Sequence, residues 1–277
     1  MLCRNASMPR RPVIAVHRLV HRLNLALGLA LAFVGGALPA QVLLLYGAAS
    51  QEYIGDVQTK LAASNLSLGT ITIYDAYTNP APTLAMLQQY QAVLAFTDSG
   101  GYQDPAGVGD ALAAYVDAGG GVVEAVFGNG SIPITGQWQN GGYTPFNPGS
   151  QSSGSMLTLG TIYDPSSPLL AGVRTFSGGS SSYYSTGTLR AGAIRVADWS
   201  NGAPLIVLNP GFNGRIVSLN FFPPSSDIRS DFWDASTDGL QLMVNSLNFV
   251  AVPEPSTCML LGLGGVMTWV LRRRRIG

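Results

Sequence analysis

Ala92-Val93-Leu94-Ala95-Phe96-Thr97-Asp98-Ser99-Gly100-Gly101 decides the fold. Its first five residues are apolar without alternation, which marks a strand buried on both faces, and its last four are turn formers. Such a strand sits inside a sheet covered by helices on each side. The same pattern recurs outward from it. Upstream, Val42-Leu43-Leu44-Leu45-Tyr46 closes on Gly47-Ala48-Ala49-Ser50. Residues 53–63 then carry Ile54, Val57 and Leu61 at helical spacing, 70–74 read as a second strand, and 83–89 as a short helix. Downstream, 109–117 form a helix with Leu112, Tyr115 and Val116 inward, Gly119-Gly120-Gly121 ends it, and 122–127 are a fourth strand. Strands alternating with helices predict an α/β domain with a central, mainly parallel sheet.

The second half is less regular. Residues 129–155 are rich in Gly, Asn, Pro, Ser and aromatics and read as a long surface excursion. Residues 163–173 give a turn and a short apolar segment, and 177–184 a polar loop. Residues 193–198, 204–209 and 215–222 alternate as strands, with Asn213-Gly214 as a hairpin turn between the last two. Thr237 or Asp238 caps a final helix, whose apolar face holds Leu240, Met243, Val244, Leu247 and Val250. That helix is expected to pack on the sheet through Leu240, Val244 and Leu247.

The two ends differ from the rest. Arg4, Arg10, Arg11, Arg18 and Arg22 precede the apolar run 23–38, and Gly35-Gly36-Ala37-Leu38-Pro39-Ala40 supplies small residues. This predicts a signal peptide over 1–40, cut by signal peptidase after Ala37 or Ala40, with an uncleaved N-terminal anchor as the alternative. At the other end, Val252, Pro253, Glu254, Pro255, Ser256 and Thr257 lead into the apolar run 258–271 and then Arg272, Arg273, Arg274 and Arg275. Pro-Glu-Pro holds the entry extended. The apolar run enters the membrane and the arginines stop it on the cytoplasmic side. At roughly 15 residues it is shorter than the roughly 20 of a comfortable spanning helix, and Gly262, Gly264 and Gly265 interrupt it. It reads as a transmembrane sorting helix that is later removed; an ordinary tail anchor is the alternative.

This tail, 252–277, resembles the C-terminal signal of PEP-CTERM proteins in its motif, its short Gly-containing apolar segment and its Arg cluster. The resemblance implies exosortase as a processing partner beside signal peptidase. It also implies transit through the inner membrane of a Gram-negative bacterium, and a final place at the cell surface or in the extracellular matrix.

The body between, 41–251, has a different charge from the whole chain. Fifteen basic and fifteen acidic residues balance overall, but nine arginines lie in the ends. The body keeps Lys60, Arg174, Arg190, Arg195, Arg215 and Arg229 against fourteen carboxylates, a net of −8. A surface of that sign repels polyanions, so nucleic acid is excluded as a partner. His17, His21 and Cys3 belong to the leader and Cys258 to the tail. The body therefore offers no Cys–His or Ser–His–Asp triad, no His- or Cys-ligated metal and no disulfide. Lys60 follows no phosphate-loop motif, and neither a Gly-x-Ser-x-Gly elbow nor a dinucleotide fingerprint is present. No cofactor is expected.

Three stretches carry a second resemblance: the strand ending Asp98-Ser99-Gly100-Gly101, Tyr115-Val116-Asp117-Ala118-Gly119-Gly120-Gly121-Val122-Val123, and Gly211-Phe212-Asn213-Gly214-Arg215-Ile216-Val217-Ser218-Leu219-Asn220. Together they resemble the class I glutamine amidotransferase-like fold, a flavodoxin-like architecture, and Asp164-Pro165-Ser166-Ser167-Pro168-Leu169-Leu170-Ala171-Gly172-Val173 is similar to a turn of its ThuA-like branch. The resemblance implies a reactive Cys, or in the ThuA branch often His, beyond the triple glycine. Here Val126 falls near that position, so no catalytic residue and no amidotransferase reaction are carried over.

In a parallel sheet, ligands sit beyond the carboxyl ends of the strands near the switch in strand order. Ser50, Glu52, Asp98, Ser99, Asn129, Asn220 and Asp227 are the polar residues expected there. Glu124 is a further candidate, as a buried functional carboxylate or, more blandly, an acid exposed at a sheet edge. Asp98 and Asn129 equally read as loop caps. Asp227, Asp231, Asp234 and Asp238 are spaced to stack on one helix face, where Asp227, Asp231 and Asp234 would suit calcium; helix capping is the plainer reading. Trp138, Tyr143, Phe146, Tyr183, Tyr184, Trp199 and Trp233 either stack on sugar rings or fill the core. The expected function is a surface protein with a non-catalytic, binding or structural body at the envelope or exopolysaccharide. The alternative is a glycan hydrolase or lyase working with carboxylates alone.

Overall fold

A computed structural model of the chain describes residues 40–48, 50–64 and 68–251. The expected signal peptide, except Ala40, and the whole sorting tail lie outside the described residues. Among the described residues, no helix is long and apolar enough to cross a membrane.

Five parallel strands form one half of the main sheet. These are β1 (Ala40–Gly47), β2 (Leu68–Asp75), β3 (Ala92–Thr97), β4 (Gly121–Ala125) and the late strand β10 (Ile216–Leu219). Before β10 come the short pair β5 (Gln151–Ser152) and β7 (Tyr184–Ser185), the edge strand β6 (Leu159–Ile162), and β8 (Ile194–Trp199) and β9 (Pro204–Asn209). The sheet runs β2-β1-β3-β4-β10-β9-β8-β6, and every pair beyond β10 is antiparallel. The second half of the chain thus widens the same sheet. Leu44 pairs with Ile73 on one side and Leu94 on the other, and Val123 lies between Leu94 and Val217.

Alternation along the central strands divides the core in two. Val42, Leu44, Tyr46, Leu94, Phe96, Val123 and Val217 meet Ile54, Val57 and Leu61 of α1 (Gln51–Ala63) on one face. Leu242, Met243, Val244 and Leu247 of the last helix, Gly239–Ala251, pack on that face too. Leu43, Leu45, Val93, Ala95 and Val122 face the other way, against Val108, Leu112 and Val116 of a helix at Pro105–Asp117. In chain order α2 is Leu84–Leu87, α3 is Pro105–Asp117, α4 is Gly136–Asn140 and α5 is Gly239–Ala251. The doubly covered parallel sheet expected from the apolar runs is present.

Several expectations need correction. Helix α3 begins at Pro105, where Asp104 Oδ1 accepts from the Gly107 N–H at 2.9 Å and proline occupies the first turn. Helix α5 docks through Leu240, Val244 and Leu247, the first of them half-buried, and Leu242, Met243 and Val250 join them on the core. Asp238 does not cap α5 with its side chain, because Oδ2 accepts from the N–H groups of Arg174 and Thr175, both at 2.8 Å. Asn213-Gly214 is not a two-residue hairpin turn, since Asn209 pairs with Ile216 across the loop 210–215. Asn213 Nδ2 donates to Asp117 O at 2.8 Å and Gly214 N to Val116 O at 2.9 Å, tying that loop to α3. The stretch 129–155 is no surface excursion: Trp138 and Phe146 are fully buried, and α4 packs on α3.

Candidate functional site

Strand order reverses at β1, with β2 on one side and β3 on the other. The loops after β1 and β3 diverge there and open a crevice beyond the strand ends, where this class of sheet holds ligands. The cavity measures about 580 Å³. Ser50, Asp98 and Ser99 line it, together with Tyr53 of α1, Phe127 after β4, Ile132, Gln151, Tyr183, Phe222 after β10, Arg229 and Phe232. The Asp98-Ser99-Gly100-Gly101 turn is built for close approach. Gly101 N donates to Asp98 O at 2.9 Å, and both glycines have positive φ, 107° at Gly100 and 68° at Gly101. A Cβ at Gly100 would come within 2.7 Å of the Tyr77 ring.

The floor is aromatic. Phe222 lies 5.0 Å from Phe232, 5.1 Å from Phe127 and 6.0 Å from Tyr53, centroid to centroid, and Tyr183 stands 5.6 Å from Phe127 and 5.8 Å from Phe232. Arg229 lies over Phe232 at 4.9 Å. Its Nε and Nη2 grip Asp231 at 2.7 and 2.8 Å, and Nη2 also donates to the Tyr183 hydroxyl at 3.1 Å. Asp231 further accepts from Ser181 Oγ at 3.0 Å. The guanidinium charge is therefore matched locally. Asp98 is half-buried, and that burial raises its pKa above the ordinary carboxylate value, opposed by the Ser99 N–H and the Arg229 charge.

Glu124, Asn129 and Asn220 do not line this crevice. Glu124 lies on the opposite face of β4 and is fully buried, not exposed at an edge. β4 is interior, between β3 and β10, so any acid on it is enclosed. Trp138 Nε1 donates to its Oε1 at 2.9 Å, Thr144 Oγ1 to Oε2 at 2.8 Å, and Ser218 Oγ to Oε2 at 3.4 Å. Burial pushes the Glu124 carboxyl up to about 7, against these hydrogen bonds and the Arg190 charge. Asn129 Nδ2 donates to Ser218 Oγ at 3.1 Å, and Asn220 accepts from Ser185 N at 2.7 Å. These residues hold the segment around α4 and β7 to the sheet.

The aspartates after β10 occupy no helix and share no site. Asp227 pairs with Lys60, Asp231 with Arg229, Asp234 accepts from Ser236 N at 2.9 Å, and Asp238 holds the Arg174–Thr175 backbone. Among the described residues, no group of three His, Cys, Asp or Glu converges as a metal site would require. Asp227 is the exposed partner of the Lys60–Asp227 pair, so Asp227→Ala should cost at most about 1 kcal/mol in urea unfolding. Of the seven loop aromatics, Tyr183 lines the crevice; Trp138, Tyr143, Phe146, Trp199 and Trp233 are buried, and Tyr184 belongs to β7. The rings missed by sequence reading, Tyr53, Phe127, Phe222 and Phe232, include two that come within three residues of a strand's carboxyl end. Those end positions were the available signal. Val126, near the family's reactive position, is wholly buried in the core.

Solved structures share this architecture. A ThuA-like protein from Bacteroides uniformis superposes with a TM-score of 0.57 at 13% identity, covering 78% of this chain and 93% of that one. Another from Parabacteroides merdae gives 0.53 at 14%, covering 77% and 90%. The fold is ThuA-like. A GMP synthase protein from Thermoplasma acidophilum is also similar, with a TM-score of 0.48 at 8% identity over 76% and 94%. Residues 251–275 match the PEP-CTERM protein-sorting motif. No curated protein matches the chain. The motif marks an exported protein with a C-terminal, membrane-anchored signal for exosortase processing.

Proposed function

We propose that the body, 41–251, is a non-catalytic binding module that takes a saccharide unit of the envelope or exopolysaccharide in its aromatic crevice. The leader, 1–40, is removed by signal peptidase, and exosortase acting near residues 253–257 removes the apolar segment and the arginines of the tail, releasing the body to the cell surface or matrix. The observation that carries the binding role is the charge layout. Among the described residues that line the crevice, Asp98 is the single acid and Arg229 the single base, while Glu124 is sealed on the other side of the sheet. Glycoside hydrolysis by carboxylates needs two acids roughly 5 to 10 Å apart across a cleft. Rings in the floor suit the apolar face of a sugar, and one desolvated carboxylate suits hydroxyl or amine donors. Because Arg229 is matched by Asp231, the crevice favours neutral or amine-bearing sugars over uronates.

Asp98→Ala should weaken binding of a neutral or aminated oligosaccharide by roughly tenfold to a hundredfold, the worth of one or two charge-assisted hydrogen bonds. Unchanged affinity in that variant would remove the crevice from the account. Appearance of new reducing ends would favour the carboxylate-only hydrolase instead. Glutamine should yield no ammonia, because neither thiol nor imidazole is present in the body to attack it or move a proton.

A further inference from the structure

We infer that the pole of the body at the amino ends of β1, β3 and β4 faces the bilayer while the tail is inserted, leaving the crevice to point away from it. The route of the chain is the first ground. Described residues begin at Ala40, the first residue of β1, and end at Ala251, the last of α5. Both lie at one pole. Gln91 N donates to Gln41 O at 2.9 Å, Ala92 pairs with Gly121, and a Cβ at Gly121 would stand 2.3 Å from Val250 O. The crevice occupies the opposite ends of the same strands.

Chain length is the second ground. Residues 252–257 span at most about 20 Å when extended, at roughly 3.4 Å per residue, before the apolar run 258–271 begins. The body is therefore held close to the interface by its own pole.

Surface chemistry is the third. Loops 88–91, 118–120 and 210–215, together with the last turn of α5, contain no carboxylate in a body that has fourteen. Their one basic residue, Arg215, lies 5.1 Å over the Phe249 ring and donates to Phe249 O at 3.0 Å. Gln88, Gln91 and Asn213 are exposed around it, and Phe212 and Tyr90 are half-buried. Asp117 marks the margin, where its carboxylate accepts from the Tyr143 hydroxyl at 2.8 Å. An acidic body meets anionic headgroups with least repulsion through loops that carry no carboxylate. The crevice pole carries Asp98 and Asp231 instead. This inference is independent of what the crevice binds.

The test uses the full chain in vesicles containing phosphatidylglycerol, with a fluorophore on a single cysteine and nitroxide at the lipid headgroups. Cys3 is replaced by serine throughout, and native Cys258, labelled alone, reports tail insertion. Cys258→Ser then allows Gln88→Cys, Gln91→Cys and Ser99→Cys to be labelled in turn; all three sites are exposed. Quenching at 88 and 91 should exceed that at 99 several-fold. Equal quenching at the three sites, stronger quenching at 99, or none at 88 and 91 while Cys258 confirms insertion would each overturn the orientation.

Discussion

Replacing Glu124 with alanine should destabilise the body by on the order of 3–5 kcal/mol, because it deprives the Trp138 N–H and the Thr144 and Ser218 hydroxyls of their acceptor and leaves a void in a closed layer. For a domain of this size, that corresponds to a fall in Tm of about 10 °C or more. Thermal unfolding followed by circular dichroism reads it directly. Glu124→Gln keeps an acceptor for the indole and should lose far less. If alanine is tolerated as well as glutamine, the carboxylate does not hold α4 and the segment around it to the sheet.

Stability should also decline as pH rises from about 4.5 to about 7. The Glu124 carboxyl has its folded-state pKa raised from 4.5 to about 7 by burial. Below that window both states are protonated. Within it, the unfolded chain gives up the proton while the folded body retains it, so the unfolded state gains relative stability. A shift of this size costs on the order of 3 kcal/mol by the top of the window. Asp98, also raised, acts in the same direction, whereas Asp231, Asp234 and Asp238 are lowered and add stability as pH climbs through the acid range beneath. The optimum therefore falls on the acid side of neutral. Urea midpoints measured across pH 4–8 should follow this slope, and Glu124→Gln should flatten most of it. A wild-type profile that rises steadily to pH 7 would contradict the buried, shifted carboxyl.

The parallel half of the fold was legible because its signals are local. Continuous apolar runs such as 92–96 leave a strand no solvent face, and the glycines after them end each unit. The antiparallel half was legible as strands but not as an extension of the same sheet, since β10 joins β4 from far along the chain. Strand β6 carries no sequence signal, because its four residues, Leu159-Gly160-Thr161-Ile162, two half-buried and two exposed, have no periodic pattern. The segment 129–155 misled for a related reason. Its glycines and asparagines suggest solvent, while Trp138 and Phe146 are anchored by a carboxylate and strands remote in sequence.

The site divides the same way. Asp98 and Ser99 follow the end of β3 directly and Ser50 comes three residues after β1, so topology brings them to one crevice. Glu124 and Asn129 are adjacent to that crevice in sequence but face the other side, Glu124 by strand alternation and Asn129 by its bond from a turn to Ser218. Arg229 and Phe232 reach the crevice from a loop without regular structure, and no spacing rule places such residues.

Titration calorimetry of the purified full chain in detergent tests the central claim most directly, using glucosamine oligomers, neutral oligosaccharides and uronate oligomers in parallel, with reducing ends assayed in the same samples. The account predicts saturable binding of a neutral or amine-bearing oligomer, weaker or no binding of uronates, binding weakened roughly tenfold to a hundredfold in Asp98→Ala, and no new reducing ends. Preferential binding of uronates, or cleavage of any oligomer that depends on Asp98, would contradict it.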